Sequence, residues 1–137
     1  MVNALSIAAK SGVDVRIMTP HVADKTIVHA VTRSYYAELL KSGVRIYEYI
    51  PGFMHSKAIV ADDEVAVVGS INLDYRSLYL HFENGVWLYN TPSVIQVRED
   101  FLETVQVCAE MSLEEYGNLP LYRRFKWSVL RLIAPLL

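Results

Sequence analysis

His55-Ser56-Lys57-Ala58-Ile59-Val60-Ala61-Asp62-Asp63-Glu64-Val65-Ala66-Val67-Val68-Gly69-Ser70-Ile71-Asn72 is the stretch that decides how this chain folds. Two apolar runs, Ala58–Ala61 and Val65–Val68, flank the acidic turn Asp62-Asp63-Glu64, which is the pattern of a buried β-hairpin. Its polar residues are therefore confined to the ends. His55 and Lys57 stand two apart at the mouth of the first strand, and Ser70 and Asn72 stand two apart beyond the second. The period-two geometry of extended chain sends each pair to one side, so imidazole, ammonium, hydroxyl and carboxamide are expected to converge on one point.

That set suits a phosphodiester. It holds a nucleophile or acid, a cation for the anionic oxygens and two neutral donors, and it needs neither a metal nor a cofactor. The stretch also fits the pattern His-x-Lys-(x4)-Asp-(x6)-Gly-Ser-x-Asn through His55, Lys57, Asp62, Gly69, Ser70 and Asn72, six fixed positions in eighteen residues. The bland alternative, a hairpin with incidental polar ends, requires chance agreement at every one of those spacings.

With this motif the chain resembles the phospholipase D superfamily. The flanks Arg33–Tyr49, Pro51-Gly52-Phe53-Met54-His55 and Asn72-Leu73-Asp74-Tyr75-Arg76-Ser77 make it similar to the carboxy-terminal half of a bacterial cardiolipin synthase. The resemblance implies a phospholipase D-like layered α/β domain, a mixed sheet flanked by helices, carrying a single motif-bearing half. It also implies a two-step displacement through a phosphohistidine, in which a second histidine from a partner motif acts as acid and then base. Lys57, Ser70 and Asn72 would hold the non-bridging oxygens. Glu83 would orient the histidine of the partner motif, the alternative being a solvated strand glutamate. Asp62, which sits in the turn rather than at the mouth, reads as structural, and Gly69 as the residue that lets the chain bend. The second motif would come from a homodimer mate or a missing amino-terminal half, because the synthases carry an earlier copy of the motif and amino-terminal membrane helices that are absent here. The implied substrate is an anionic phospholipid, and the implied location is the bacterial cytoplasmic membrane.

Bulk properties bound the rest. A chain of 137 residues with 53% apolar residues supports one core. Lone Cys108 excludes an intrachain disulfide and reads as a packed thiol. No apolar stretch is long enough to span a bilayer, and no signal-type segment follows Met1. A net charge of −2 gives no footprint for duplex nucleic acid, so no nucleic-acid partner is expected.

Taken in order, Leu5, Ala8 and Ala9 before Ser11-Gly12 suggest a capped helix end, so that Met1 opens within a longer ancestral domain. Val13–Met18 reads as a strand, and Thr19-Pro20-His21 as a loop on which His21 is solvated or, alternatively, touches a lipid phosphate. Apolar spacing predicts one helix from Asp24 or Lys25 to Ser42, stopped at Gly43. On it His29 and Arg33 share a face, read as solvated for want of a companion carboxylate, with a phosphate-adjacent role as the alternative. Val44–Tyr49 alternates as a strand. Asp74-Tyr75-Arg76-Ser77 is a polar loop, Phe82–Tyr89 is strand-like, and Pro92 starts a helix running through Val94, Val97, Phe101, Leu102, Val105 and Cys108.

The domain is expected to occupy residues 1–111, with a basic amphipathic tail over 112–137. Between Thr91 and Leu119 stand six acids and one base, and from Pro120 onward four bases and no acid. In the tail Tyr122, Phe125, Val129, Leu132, Ile133 and Leu136 recur at helical steps with Arg123, Arg124, Lys126 and Arg131 on the flanks, a pattern suited to the surface of an anionic membrane. Packing of that stripe on the domain is the competing reading. The leading activity is phosphatidyl transfer between two phosphatidylglycerol molecules. The rivals are a single-motif phosphodiesterase or nuclease acting as a homodimer, and an inactive fragment of a longer synthase.

Overall fold

The computed structural model describes residues 1–117 and 120–134. Helix α1 (Val2–Lys10) ends in a Schellman motif, with Gly12 at φ 93 and the N–H groups of Gly12 and Val13 donating to Ala9 O and Ala8 O. Strand β1 (Arg16–Pro20) follows, and a crossover of α2 (Thr26–Ser34) and α3 (Tyr36–Lys41) leads to β2 (Arg45–Tyr49), parallel to β1. The single helix expected here is thus divided at Tyr35. Its end is as expected: Gly43 and Val44 close a second Schellman motif on Leu40 O and Leu39 O.

The hairpin is β3 (Ala58–Ala61) and β4 (Val65–Gly69), joined in antiparallel register from Ala58 opposite Val68 to Ala61 opposite Val65. Asp62 and Asp63 take φ 53 and 59, and Glu64 N–H donates to Ala61 O, a type I′ geometry that short acidic side chains tolerate. Strand β5 (Gly85–Tyr89) pairs with β4. The expected polar loop at 74–77 runs instead into a single π-helical turn, Arg76–Leu80. Helix α4 (Pro92–Val105) stops before Cys108, which starts β6 (Cys108–Glu110) antiparallel to β2. Assigning Cys108 to the helix was therefore an error: the chain turns at Gln106-Val107 because Tyr49 offers an open edge partner. Burial pushes the Cys108 thiol up, as fits a packed side chain.

The strands form two three-stranded sheets, β1-β2-β6 of mixed direction and β3-β4-β5 all antiparallel. Helix α4 touches β2, β3, β4, β5 and β6, so one helix covers both. The core gathers Tyr36, Leu39, Val44 and Ile46 against α1 and Tyr116, while Val94 of α4 and Ala66 of β4 are buried beside the hairpin. The hairpin is not buried on both faces as its apolar runs suggested. Ile59, Trp87 and Tyr89 lie on the sheet face away from Ala66 and are about half exposed or more.

Helix α5 (Leu113–Gly117) precedes α6 (Leu121–Ile133), which lies on α2. Arg131 bonds Ser34 O and Glu38 and lies 4.3 Å over the Tyr35 ring, and Trp127 stacks on Tyr116. Tyr122, Phe125, Val129 and Leu132 face solvent, whereas Leu136 lies outside the described residues. Among the described residues no helix is long and apolar enough to cross a membrane.

Candidate functional site

The start of β3 and the end of β4 are tied by Gly69 N–H donating to Lys57 O at 3.1 Å, which places both ends of the motif at one end of the hairpin. Gly69 serves there by having no side chain rather than by bending the chain. A Cβ at this position would stand 2.7 Å from Gly85 Cα and closer still to Asn84 O. That approach lets Ser70 N–H donate to Asn84 O at 2.8 Å and Asn84 N–H donate to Ser70 Oγ at 3.0 Å.

Around this clamp a hydrogen-bonded chain forms. Ser70 Oγ donates to Glu83 Oε2 at 2.5 Å and Ser77 Oγ to Glu83 Oε1 at 2.8 Å, while Asn72 Nδ2 donates to Ser77 Oγ at 3.3 Å. Ser77, absent from the sequence-derived set, is buried and held by its own N–H donating to Asp74 Oδ1. The Asp74-x-x-Ser77 spacing of a capped turn was the signal for it. The Ser70 and Ser77 hydrogen bonds, reinforced by nearby His81 and Lys57, draw the Glu83 carboxyl below its usual range, so Glu83 is anionic and, among the described residues, accepts one hydrogen bond on each oxygen.

Lys57 therefore lies within the field of Glu83, and its Nζ donates to His55 O at 2.7 Å. The His55 ring stacks on Phe53 with centroids 5.7 Å apart. Ser70 is thus linked directly to Glu83 and Asn72 through Ser77, and Lys57 and His55 stand at the same end. Asp62 does not join them: it sits in the turn at the far end of the hairpin. Such an arrangement offers an imidazole, a cation, an anionic acceptor and polar hydrogens on an open surface, a set able to neutralise and displace at a phosphoester.

A second cluster sits at the ends of β1 and β2. Glu48 is only 1% exposed yet accepts Arg33 Nε at 2.8 Å, Arg33 Nη2 at 2.5 Å, Tyr36 Oη at 3.0 Å and His21 Nδ1 at 2.7 Å. Burial acts to raise the Glu48 carboxyl, but the Arg33 and His21 hydrogen bonds outweigh it and hold the group below its ordinary value. Reading His29 and Arg33 as solvated is corrected here, while His21, about half exposed, also gains Glu48 as a partner. The missing carboxylate is Glu48, fifteen residues beyond Arg33, and His29 Nε2 meets Pro20 O at 3.2 Å. Burial and then Arg33 depress the His29 pKa.

Residues 1–105 match the family described as cardiolipin synthase, PLD-like domain. Among curated relatives, a cardiolipin synthase of Halalkalibacterium halodurans is 44% identical over 137 residues and one of Geobacillus kaustophilus 45%. All of this chain is covered in each case, but it spans only 27% of those relatives' length. Of solved structures, the phosphatidylserine synthase of Haemophilus influenzae superposes with a TM-score of 0.72 at 15% identity, over 98% of this chain and 38% of that one. Nuc, a phospholipase D family member from Salmonella typhimurium, gives 0.69 at 22% identity, over 81% and 72%. These two likenesses establish the fold.

Proposed function

This chain belongs to the cardiolipin synthase family of phospholipase D-like domains, and from that premise we propose that it is the motif-bearing half of a phosphatidyltransferase that joins two phosphatidylglycerol molecules into cardiolipin and glycerol. The observation that carries the reading is the open hairpin end, where His55, Lys57, Ser70, Asn72 and Glu83 stand together.

The reaction runs as a double displacement. A histidine attacks phosphorus of the donor lipid, forming an N–P bond as the P–O bond to glycerol breaks, and a second histidine delivers its proton to the departing glycerol oxygen. That second histidine then takes the proton of the acceptor hydroxyl, whose oxygen displaces the phosphohistidine to give cardiolipin. His55 is one of the two. Lys57 balances the charge that shifts onto the non-bridging oxygens, with the remaining Asn72 amide hydrogen as a neutral donor. Ser70 Oγ is turned to Glu83 in the free site, so its first task is to hold that carboxylate. Glu83, anionic at the open hairpin end, is suited to orient the imidazole of the partner motif.

One motif supplies one such histidine, and the partner is a homodimer mate or a further part of a longer synthase. The exposed stripe Tyr122, Phe125, Val129 and Leu132 supports contact of α6 with the anionic bilayer that holds the substrate. The alternative is a single-motif phosphodiesterase or nuclease completed by dimerisation. Purified chain is assayed over a range of concentrations on phosphatidylglycerol vesicles and, in parallel, on single-stranded DNA. Cardiolipin formation that rises with protein concentration and vanishes in His55→Ala is expected. DNA cleavage alone would favour the alternative, and turnover undiminished in His55→Ala would remove the motif from the active site.

A further inference from the structure

The turn that carries Ser77 also carries a row of apolar side chains with nothing over them. Tyr79, Leu80 and Phe82 are each two-thirds exposed or more. Exposed apolar residues are ordinary when scattered singly, but these three fall within four residues of chain, on the segment that holds the site carboxylate. Ser77 Oγ donates to Glu83, and Phe82 is the residue before that glutamate. The segment is also firmly built. Ser77 N–H donates to Asp74 Oδ1, Leu78 N–H to Asp74 O and His81 N–H to Arg76 O, so a fixed turn presents the apolar side chains.

One charge accompanies them. Arg16, Arg33, Arg45, Arg98 and Arg131 each have a carboxylate within 3.0 Å. Arg76 has none among the described residues: its Nε and Nη2 both donate to His81 Nε2, at 3.2 and 2.9 Å, and an imidazole does not cancel a guanidinium. The edge of the site therefore presents a cation without a counter-charge beside aromatic and aliphatic side chains. That combination fits the headgroup layer of an anionic bilayer, where phosphates meet the guanidinium and the apolar groups enter the acyl boundary.

Contacts join this edge to α6. The Tyr79 ring centroid lies 6.3 Å from that of Tyr75. Burial raises the Tyr35 phenol, Arg131 opposes the rise and the Tyr75 phenol adds to it, which sets Tyr75 beside Tyr35. Arg131 of α6 lies over that same Tyr35 ring, and Leu132, the next residue, is 79% exposed. The turn and the apolar stripe of α6 thus adjoin at Tyr35.

We propose that the turn 76–82, with Arg76 on the lipid phosphates and Leu80 and Phe82 in the acyl boundary, seats on the same anionic bilayer as α6 and faces the open end of the hairpin toward it. The longer stripe of α6 supplies most of the affinity, and the turn sets the orientation, so that a lipid phosphodiester meets the motif without leaving the membrane. This rests on the phosphatidyl-transfer reading, for which the substrate is itself a bilayer lipid.

The test binds the full chain, with labelled leucine methyls, to phosphatidylglycerol bicelles that carry a nitroxide-headgroup lipid. Leu80 and Leu132 methyls should broaden while those of buried Leu39 stay sharp. In the double variant Leu80→Ser, Phe82→Ser, whose replaced side chains are exposed, Tm should hold and partition onto phosphatidylglycerol vesicles should fall roughly tenfold. Arg76→Gln should lower that partition roughly fivefold, the worth of one basic residue at an anionic surface, and leave partition onto phosphatidylcholine vesicles unchanged. A sharp Leu80 signal beside a broadened Leu132, or partition unmoved in the double variant, overturns the proposal. So does a double variant that keeps its partition and loses self-association, which would assign the turn to a second copy of the chain. Titration with short-chain phosphatidylglycerol below its micelle concentration reads the motif separately. A His55 resonance shift there with a sharp Leu80 in bicelles leaves the proposed function standing without this surface, and no His55 shift removes the function on which the surface rests.

Discussion

Arg33→Ala tests the buried cluster. The substitution removes both hydrogen bonds from Arg33 to Glu48, at 2.8 and 2.5 Å, and leaves a carboxylate that is 1% exposed with only His21 and Tyr36 as partners. Breaking a buried pair by deleting one partner costs about 3–5 kcal/mol, and because the Arg33 side chain keeps 30% of its exposure the lower end applies, about 3 kcal/mol. For a domain of this size that corresponds to a fall in Tm of roughly 10 °C, read by circular dichroism at about pH 7. The sign of the pH dependence is fixed by the lowered Glu48 pKa. The stabilisation is fully present above the unfolded carboxyl's value of 4.5 and is lost as pH falls through the lower folded one. Without Arg33 the carboxyl escapes its cost by protonating, so the gap between wild type and variant should narrow at about pH 4. A Tm loss under about 3 °C near neutrality, or a gap as wide in acid, would refute the claim that Glu48 is a buried anion held by Arg33.

Gly69→Ala puts a methyl against Asn84 O and Gly85 Cα, so a loss of about 1–3 kcal/mol in denaturant melts is expected, together with disturbed Ser70 and Asn84 amide resonances; an unperturbed variant would show that the close approach is not required. Ser77→Ala strips Glu83 of one donor and Asn72 of its acceptor, so kcat of the competent assembly should drop about tenfold with the fold retained, and an unchanged kcat would remove Ser77 from the site. Replacing Tyr122, Phe125 and Leu132 together by Ser should abolish co-sedimentation with phosphatidylglycerol vesicles without moving Tm, because all three are exposed; binding that persists would place the membrane contact elsewhere.

Local sequence determined the hairpin, its acidic turn, the glycine-capped helix ends and the end of the hairpin at which the motif side chains gather, since each depends on residues close together in the chain. It also carried an unused signal. Val44, just before β2, and Ile46 and Glu48 within it alternate onto one side, and all three are 2% exposed or less, so the register that identifies the core face put a carboxylate on it. A strand pattern read only as alternating polar and apolar residues conceals this, because Glu48 occupies what looks like a solvent position between two tyrosines.

Tertiary structure alone decided the remainder. Arg33 and His21 find Glu48 only because the β1–α2–α3–β2 crossover returns the chain parallel to itself, and no spacing rule specifies that encounter. Ser77 joins Glu83 through the π-helical turn, a geometry for which side-chain periodicity has no signature. Gly69 was legible as a glycine but not in its reason, which is the backbone of another strand at a distance no Cβ allows. The open face of Ile59 and Trp87 has the same origin: apolar patterning reports what a strand prefers to bury, whereas the supply of covering elements, here α4 on one side only, belongs to the whole fold.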